Sequence, residues 1–243
     1  MAWWTKYCSR IPGRKKKAIT NPINQHNAYI MNHSKYLLRP TWLNDDEPDE
    51  KEPKDEKGPE LGMLAKKLEK YFFENRTVEL WGPVDDKTAR EVVTKLRLLD
   101  ADKPGEEIKF FINSPGGVVT SGMVIYDTMK MLKSPVSTIC MGLAASMGSV
   151  LLSGGVKGRR FVFPHSEIMI HQPSLGGYMQ GVSVDLEITA RQTKRVKDVS
   201  AKILADNCGK KVEQVLKDFD RDYWMDAREA VDYGIVDHVF EQL

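Results

Sequence analysis

This sequence has no stretch of about eighteen consecutive apolar residues, so nothing in it reads as a membrane-spanning helix. Cysteine is scarce: Cys8, Cys140 and Cys208 lie far apart, are odd in number and form no CxxC pair. The chain therefore does not read as a disulfide scaffold or a zinc module, and its cysteine usage fits a reducing compartment. There is no GxxxxGK[ST] loop to cradle phosphates, and no HExxH or paired His/Cys cluster to hold a metal. The glycines of GGVVTSG lack the GxGxxG spacing of a dinucleotide fold, and no acid ends a second strand at the expected distance. A net charge of +2 gives no footprint for nucleic acid and no acidic, solvating character. What is present is a chain of 243 residues that is 41% hydrophobic, enough to bury a sizeable core.

The first sixty residues differ from the rest. Residues 1–44 carry Lys6, Arg10, Arg14, Lys15, Lys16, Lys17, Lys35 and Arg39 and no Asp or Glu. Residues 45–60, DDEPDEKEPKDEKGPE, are dense in acids and hold no apolar side chain. Low hydrophobicity with high charge cannot offset the entropy lost on ordering, so 45–60 reads as a disordered linker and 1–60 as an extension. The basic block fits an organellar targeting peptide, a flexible extension, or sequence upstream of a start at Met31 or Met63; the residues do not choose among these. It lacks the unbroken apolar core of a secretory signal.

From about Leu61 the pattern is globular. LGMLAKKLEKYFF has apolar residues at helical spacing, TVELWG (77–82) reads as a strand, and DDKTAREVVTKLRLLDAD (85–102) as an amphipathic helix with acids at its start. EIKFFINSPGG (107–117) is a buried strand running into a turn, followed by a helix at 118–132 and a β-branched strand, VSTICM (136–141). RFVF (160–163) and IMIH (168–171) are strand-like, a long helix spans about 182–206, and shorter helices cover 210–219 and 226–234, the last stopped by Gly234. Alternating strands and helices argue for an α/β fold.

Several positions could carry chemistry. In GLAASMGSVLL (142–152) one hydroxyl, Ser146, stands among small residues that let other backbone come close. On the residues alone it fits the cap of a buried helix as well as a nucleophile. Gly116-Gly117, in NSPGG, opens a helix and can turn backbone N–H groups toward negative charge, or simply make a tight turn. His171 ends an apolar run just before Gln172-Pro173, at a strand end where site residues gather. In DFDRDYWMD, the acids Asp218, Asp220, Asp222 and Asp226 compete, and composition does not separate them.

Together these segments carry a resemblance. NSPGGVVTSG, GLAASMGS, FPHSEIMIHQP, GGYMQG and DRDYWMDAREAVDYGIVD resemble the successive signatures of the ClpP peptidase family, in its order and near its spacing, over residues 61–240. The resemblance implies an α/β, ClpP/crotonase-like fold of stacked β-β-α units with a protruding helix handle at 182–206. It implies Ser146 as nucleophile, His171 as general base, Asp222 as the acid that orients the histidine, and the Gly117 and Met147 amides as an oxyanion hole. It further implies a serine endopeptidase that assembles into two stacked heptameric rings. An AAA+ Clp ATPase unfoldase would feed in unfolded chains, which would be cut after Leu-, Met- or Phe-like residues. No cofactor is implied for this chain, since ATP belongs to the unfoldase, and neither nucleic acid nor membrane is an expected partner. The expected location is cytoplasmic, or organellar if the basic block is a targeting peptide.

The chain also departs from the family pattern. The usual pore hairpin is not recognisable ahead of residue 61, Asn207-Cys208-Gly209 replaces His-Thr-Gly, and Ser174 and Met179 look like insertions. A non-catalytic ring subunit would lack a triad residue, and a crotonase-type acyl-CoA hydratase would need no serine–histidine pair. Both fit less well.

Overall fold

The computed structural model describes residues 59–174 and 181–240. The expectations for residues 1–58, and for the insertion at Met179, lie outside the described residues. Among the described residues, seven helices and seven strands follow in chain order: α1 (Pro59–Glu74), β1 (Thr77–Trp81), α2 (Asp86–Asp102), β2 (Ile108–Ser114), α3 (Val119–Met131), β3 (Val136–Ala145), α4 (Met147–Ser153), β4 (Arg160–Val162), β5 (Glu167–Ile170), α5 (Ser183–Cys208), α6 (Val212–Asp218), β6 (Tyr223–Met225), α7 (Ala227–Tyr233) and β7 (His238–Val239).

The strands form one sheet in the order β1-β2-β3-β4-β7, parallel throughout, with β5 joining β3 and β6 pairing antiparallel to β5. Parallel strands are covered on both faces, and β2 and β3 show it: Ile108, Phe110, Ile112 and Cys140 are fully buried, as are Leu96 from α2 and Ile125 from α3. The helix ends follow their residues. Asp85 caps α2 in a reciprocal box with Thr88, and Asp226 does the same for α7 with Glu229. Gly209 and Gly234, both left-handed, end α5 and α7.

The main difference from the sequence reading lies in β3. The strand expected at 136–141 runs four residues further, through Ala145. It is a fork. Thr138–Cys140 pair with β4, whereas Leu143–Ala145 pair with β5. Gly142, at φ 84°, lies between the two halves, and its amide is held by the Ser166 hydroxyl at 2.8 Å. The change of partner sets β5 beside the last residues of β3, so the C-terminal ends of both strands emerge together. Strands β6 and β7 escaped the sequence reading because they are three and two residues long, too short to show a period.

Candidate active site

Ser146 sits between β3 and α4 in a conformation few L-residues adopt, φ 54° and ψ −120°. Such backbone is strained by about 1–3 kcal/mol and persists only where its surroundings enforce it. They do so here: the Ser146 amide donates to the Met169 carbonyl of β5 at 2.9 Å, and Ala144, Ala145, Met147 and Gly148 are all buried. The serine occupies the N-cap position of α4, but its side chain makes no capping bond. The helix-cap reading therefore fails. The hydroxyl instead meets His171 Nε2 at 2.8 Å.

His171 is the first residue past β5, and that strand's pairing with β3 delivers its ring to Ser146. On its other side, Nδ1 lies 2.9 Å from Asp222 Oδ1. An ionised carboxylate can only accept, so Nδ1 carries the hydrogen and Nε2 is left as the acceptor for the serine O–H. Asp222 comes from the turn before β6, which is laid antiparallel along β5 with Tyr223 opposite Ile170.

The four competing acids separate cleanly. Asp222 contacts the histidine. Asp220 accepts from the Gln172 side chain, Asp218 accepts from the Tyr233 hydroxyl and the Gln214 amide, and Asp226 caps α7. Burial and the hydrogen bond to Asp218 push the Tyr233 hydroxyl far above its ordinary value, so it stays a donor. Cysteine offers no competing nucleophile among the described residues: burial pushes the Cys140 thiol up to about 12 and that of Cys208 up to about 11.

The glycine pair lies against the serine. A Cβ on Gly116 would stand 2.7 Å from the Ala145 carbonyl oxygen and 2.7 Å from Ser146 Cβ, and one on Gly117 would stand 2.2 Å from the Val84 oxygen. Neither position tolerates a side chain, and both have positive φ, 89° and 149°. The reason is the local ladder: Val84 donates to the Gly116 carbonyl at 2.8 Å, and Val118 donates back to Val84 at 2.8 Å. That leaves the Gly117 amide, like the Met147 amide at the start of α4, with no acceptor among the described residues. Beside Ser146 and His171 is a small cavity of about 30 Å³ walled by Val119, Met147, Val150, Ile170 and Leu204. A wider cavity of about 550 Å³, walled by Phe72, Phe73 and Leu98 among others, contains none of these groups.

A family model, that of Clp protease, matches residues 61–243. The chain belongs to the Clp protease family. That makes it a ClpP-type peptidase, and the seven-stranded mixed sheet with its seven helices is consistent with the ClpP fold. The Clp protease domain brings Ser146, His171 and Asp222 into one hydrogen-bonded row, with Met147 next to the serine in the chain and Gly116, the neighbour of Gly117, against the serine Cβ. Among the described residues no group of His, Cys, Asp or Glu could hold a metal ion, and no helix is long and apolar enough to cross a membrane. Two residues at the site were not singled out beforehand, Gln172 and Lys197. Gln172 follows His171 in the HQP run, and nothing in the spacing links it to a lysine 25 residues later.

Proposed function

We propose that this chain is a serine endopeptidase acting through Ser146, His171 and Asp222, and the observation that carries the reading is the continuous row Ser146–His171–Asp222 at 2.8 and 2.9 Å. His171 Nε2 takes the serine proton as Oγ attacks the peptide carbonyl, then returns it to the leaving amine. Asp222 holds the ring in the required tautomer and stabilises the imidazolium without gaining the proton. The amides of Gly117 and Met147 donate to the tetrahedral oxygen, each contributing on the order of 3 kcal/mol to the transition state. Water then releases the acyl group by the same steps in reverse roles.

The family resemblance implies a preference for Leu-, Met- or Phe-like residues before the cut, and the apolar side chains beside the serine, Val119, Met147, Val150, Ile170 and Leu204, support it by their chemistry. By family, the working form is two stacked heptameric rings whose chamber receives unfolded chains from an AAA+ Clp ATPase. The chain itself uses no cofactor. Residues 1–60 serve as an extension outside the peptidase domain at 61–243, and the protein acts in the cytoplasm, or in an organelle if the basic block is a targeting peptide.

The direct test is Ser146→Ala assayed on a short fluorogenic peptide. Cleavage is expected to fall by about 10⁴-fold or more while the native mass is unchanged. Near-normal hydrolysis by the variant would overturn the assignment.

A further inference from the structure

The acid of the row is its least supported member. Its side chain is 60% exposed, and among the described residues its carboxylate has one hydrogen-bond partner, the histidine it is meant to orient. Its position is therefore set by the backbone of the turn that carries it. Tyr223, next to Asp222, is fixed by pairing with Ile170. The other end of the turn starts from Phe219, which is buried in the core, and is tied to the end of β5 by Gln172 through both its main chain and its side chain. The Gln172 amide donates to the Phe219 carbonyl at 2.6 Å, and its side-chain Nε2 donates to the Asp220 carbonyl at 2.7 Å and to Asp220 Oδ1 at 3.2 Å.

A glutamine amide has the same shape either way round, and only its partners decide which end faces which. Both Asp220 groups are acceptors, so the side-chain tie to the turn forms only if Nε2 points at them. Lys197, on α5, imposes that choice. Its ammonium can only donate, and it stands 2.9 Å from Gln172 Oε1. The same ammonium lies 3.8 Å from the Asp220 carboxylate and 5.9 Å over the Phe219 ring, so it touches both residues that open the turn. Turned over, the Gln172 amide would set oxygen against oxygen and lose both side-chain bonds to Asp220. The helix that carries Lys197 is itself unevenly anchored: its buried residues are Ser200, Ala201, Leu204 and Ala205, and the turns before them are largely exposed.

We infer that Gln172 and Lys197 are positioning residues for Asp222. This rests on the catalytic assignment proposed above. The test uses the full-length protein and a short fluorogenic peptide, with native mass and melting temperature recorded for each variant. Lys197→Met is expected to lower kcat about tenfold while KM stays within about twofold, because alignment is lost and substrate contacts are not. Lys197→Arg, which keeps a cation that only donates, is expected to restore most of that loss. Gln172→Leu is expected to lower kcat at least as far, and adding Lys197→Met to it to change little more, since the lysine acts mainly through the glutamine and its direct approach to the exposed Asp220 carboxylate contributes little.

Unchanged kcat in Lys197→Met, a loss carried by KM, no rescue by arginine, or a double variant whose losses multiply would each overturn the inference. So would a Lys197→Met protein that loses its native mass, because the lysine would then be structural. Ser146→Ala run alongside separates the two levels. If it stays active, the catalytic assignment itself fails; if it is dead while Lys197→Met and Gln172→Leu are fully active, only the positioning role fails.

Discussion

The two ends of the Ser146–His171–Asp222 row are built in opposite ways. The serine end is made of backbone. Ser146 is locked at positive φ by its bond to β5, its neighbours are buried, and Gly116 packs against its Cβ with no room for a side chain. The aspartate end leans more on side chains: Asp222 is mostly exposed, and its turn, beyond the Tyr223 pairing and one main-chain bond, is tied by the side chains of Gln172 and Lys197. Backbone in a close-packed interior has few alternatives, whereas a link through two long side chains carries rotamer freedom that must be suppressed. The nucleophile is thus fixed by the fold, and the acid is adjustable.

The strongest way to break this comparison is at the adjustable end. Asp222→Asn should lower kcat/KM by about 10³- to 10⁴-fold, since the amide favours the wrong histidine tautomer. Asp220→Asn should cost about threefold or less, because the Asp220 carbonyl still accepts from Gln172. A reversed ranking on one peptide would move the acid to a different residue of the loop. At the fixed end, Gly117→Ala forces a methyl toward the Val84 carbonyl and displaces the adjacent amide. The expected loss in kcat is about 10²-fold, and an unchanged kcat would remove that amide from the mechanism.

A distant change should touch neither end. Arg160, almost fully buried, pairs with Asp237 at 2.6 Å, and Asp237 also accepts from the Arg160 and Gly158 amides. Burial alone would raise the Asp237 carboxyl, but the guanidinium and these amides outweigh it and hold the group below its ordinary 3.8. A depressed carboxyl contributes stability that is fully present above 3.8 and is lost as pH falls through the still lower folded-state value. Asp237→Asn should therefore destabilise by about 3 kcal/mol at neutral pH. The gap in melting temperature from wild type should narrow only below that range, and kcat should stay unchanged. A variant equally stable at neutral pH would show the pair to be idle.

The smallest effect sharpens the strain argument. Ser146→Gly should be more stable than Ser146→Ala by about 1 kcal/mol, because glycine accepts positive φ and alanine does not. Equal melting temperatures would mean that the serine backbone is not strained.

The contrast also explains what the sequence could reveal. Ser146 and His171 stood out as candidates because backbone constraints leave local marks, small residues round a single hydroxyl and an apolar strand closing on a histidine before Gln172-Pro173, but their catalytic roles came from the family resemblance. Gly116-Gly117 was legible for the same reason. Asp222 was not legible from composition, because four acids lie within nine residues and what separates them is the partner each finds in space. Only the family resemblance picked it out. The α/β alternation and the long helix α5 could be read from periodicity, whereas the fork in β3 could not. A change of strand partner at Gly142 is a tertiary choice, and the alanines that follow have little strand preference of their own. Lys197 and Gln172 left no trace for a similar reason: their meeting depends on how α5 returns to the site.

The central claim, that Ser146 is a nucleophile activated by His171, is tested most directly by mass spectrometry after exposure to a fluorophosphonate probe. A single adduct is expected on the peptide containing Ser146 in the wild-type protein. The same adduct should be absent from His171→Ala protein of matched native mass under the same exposure. An adduct on a different residue, or equal labelling of Ser146 without the histidine, would contradict it.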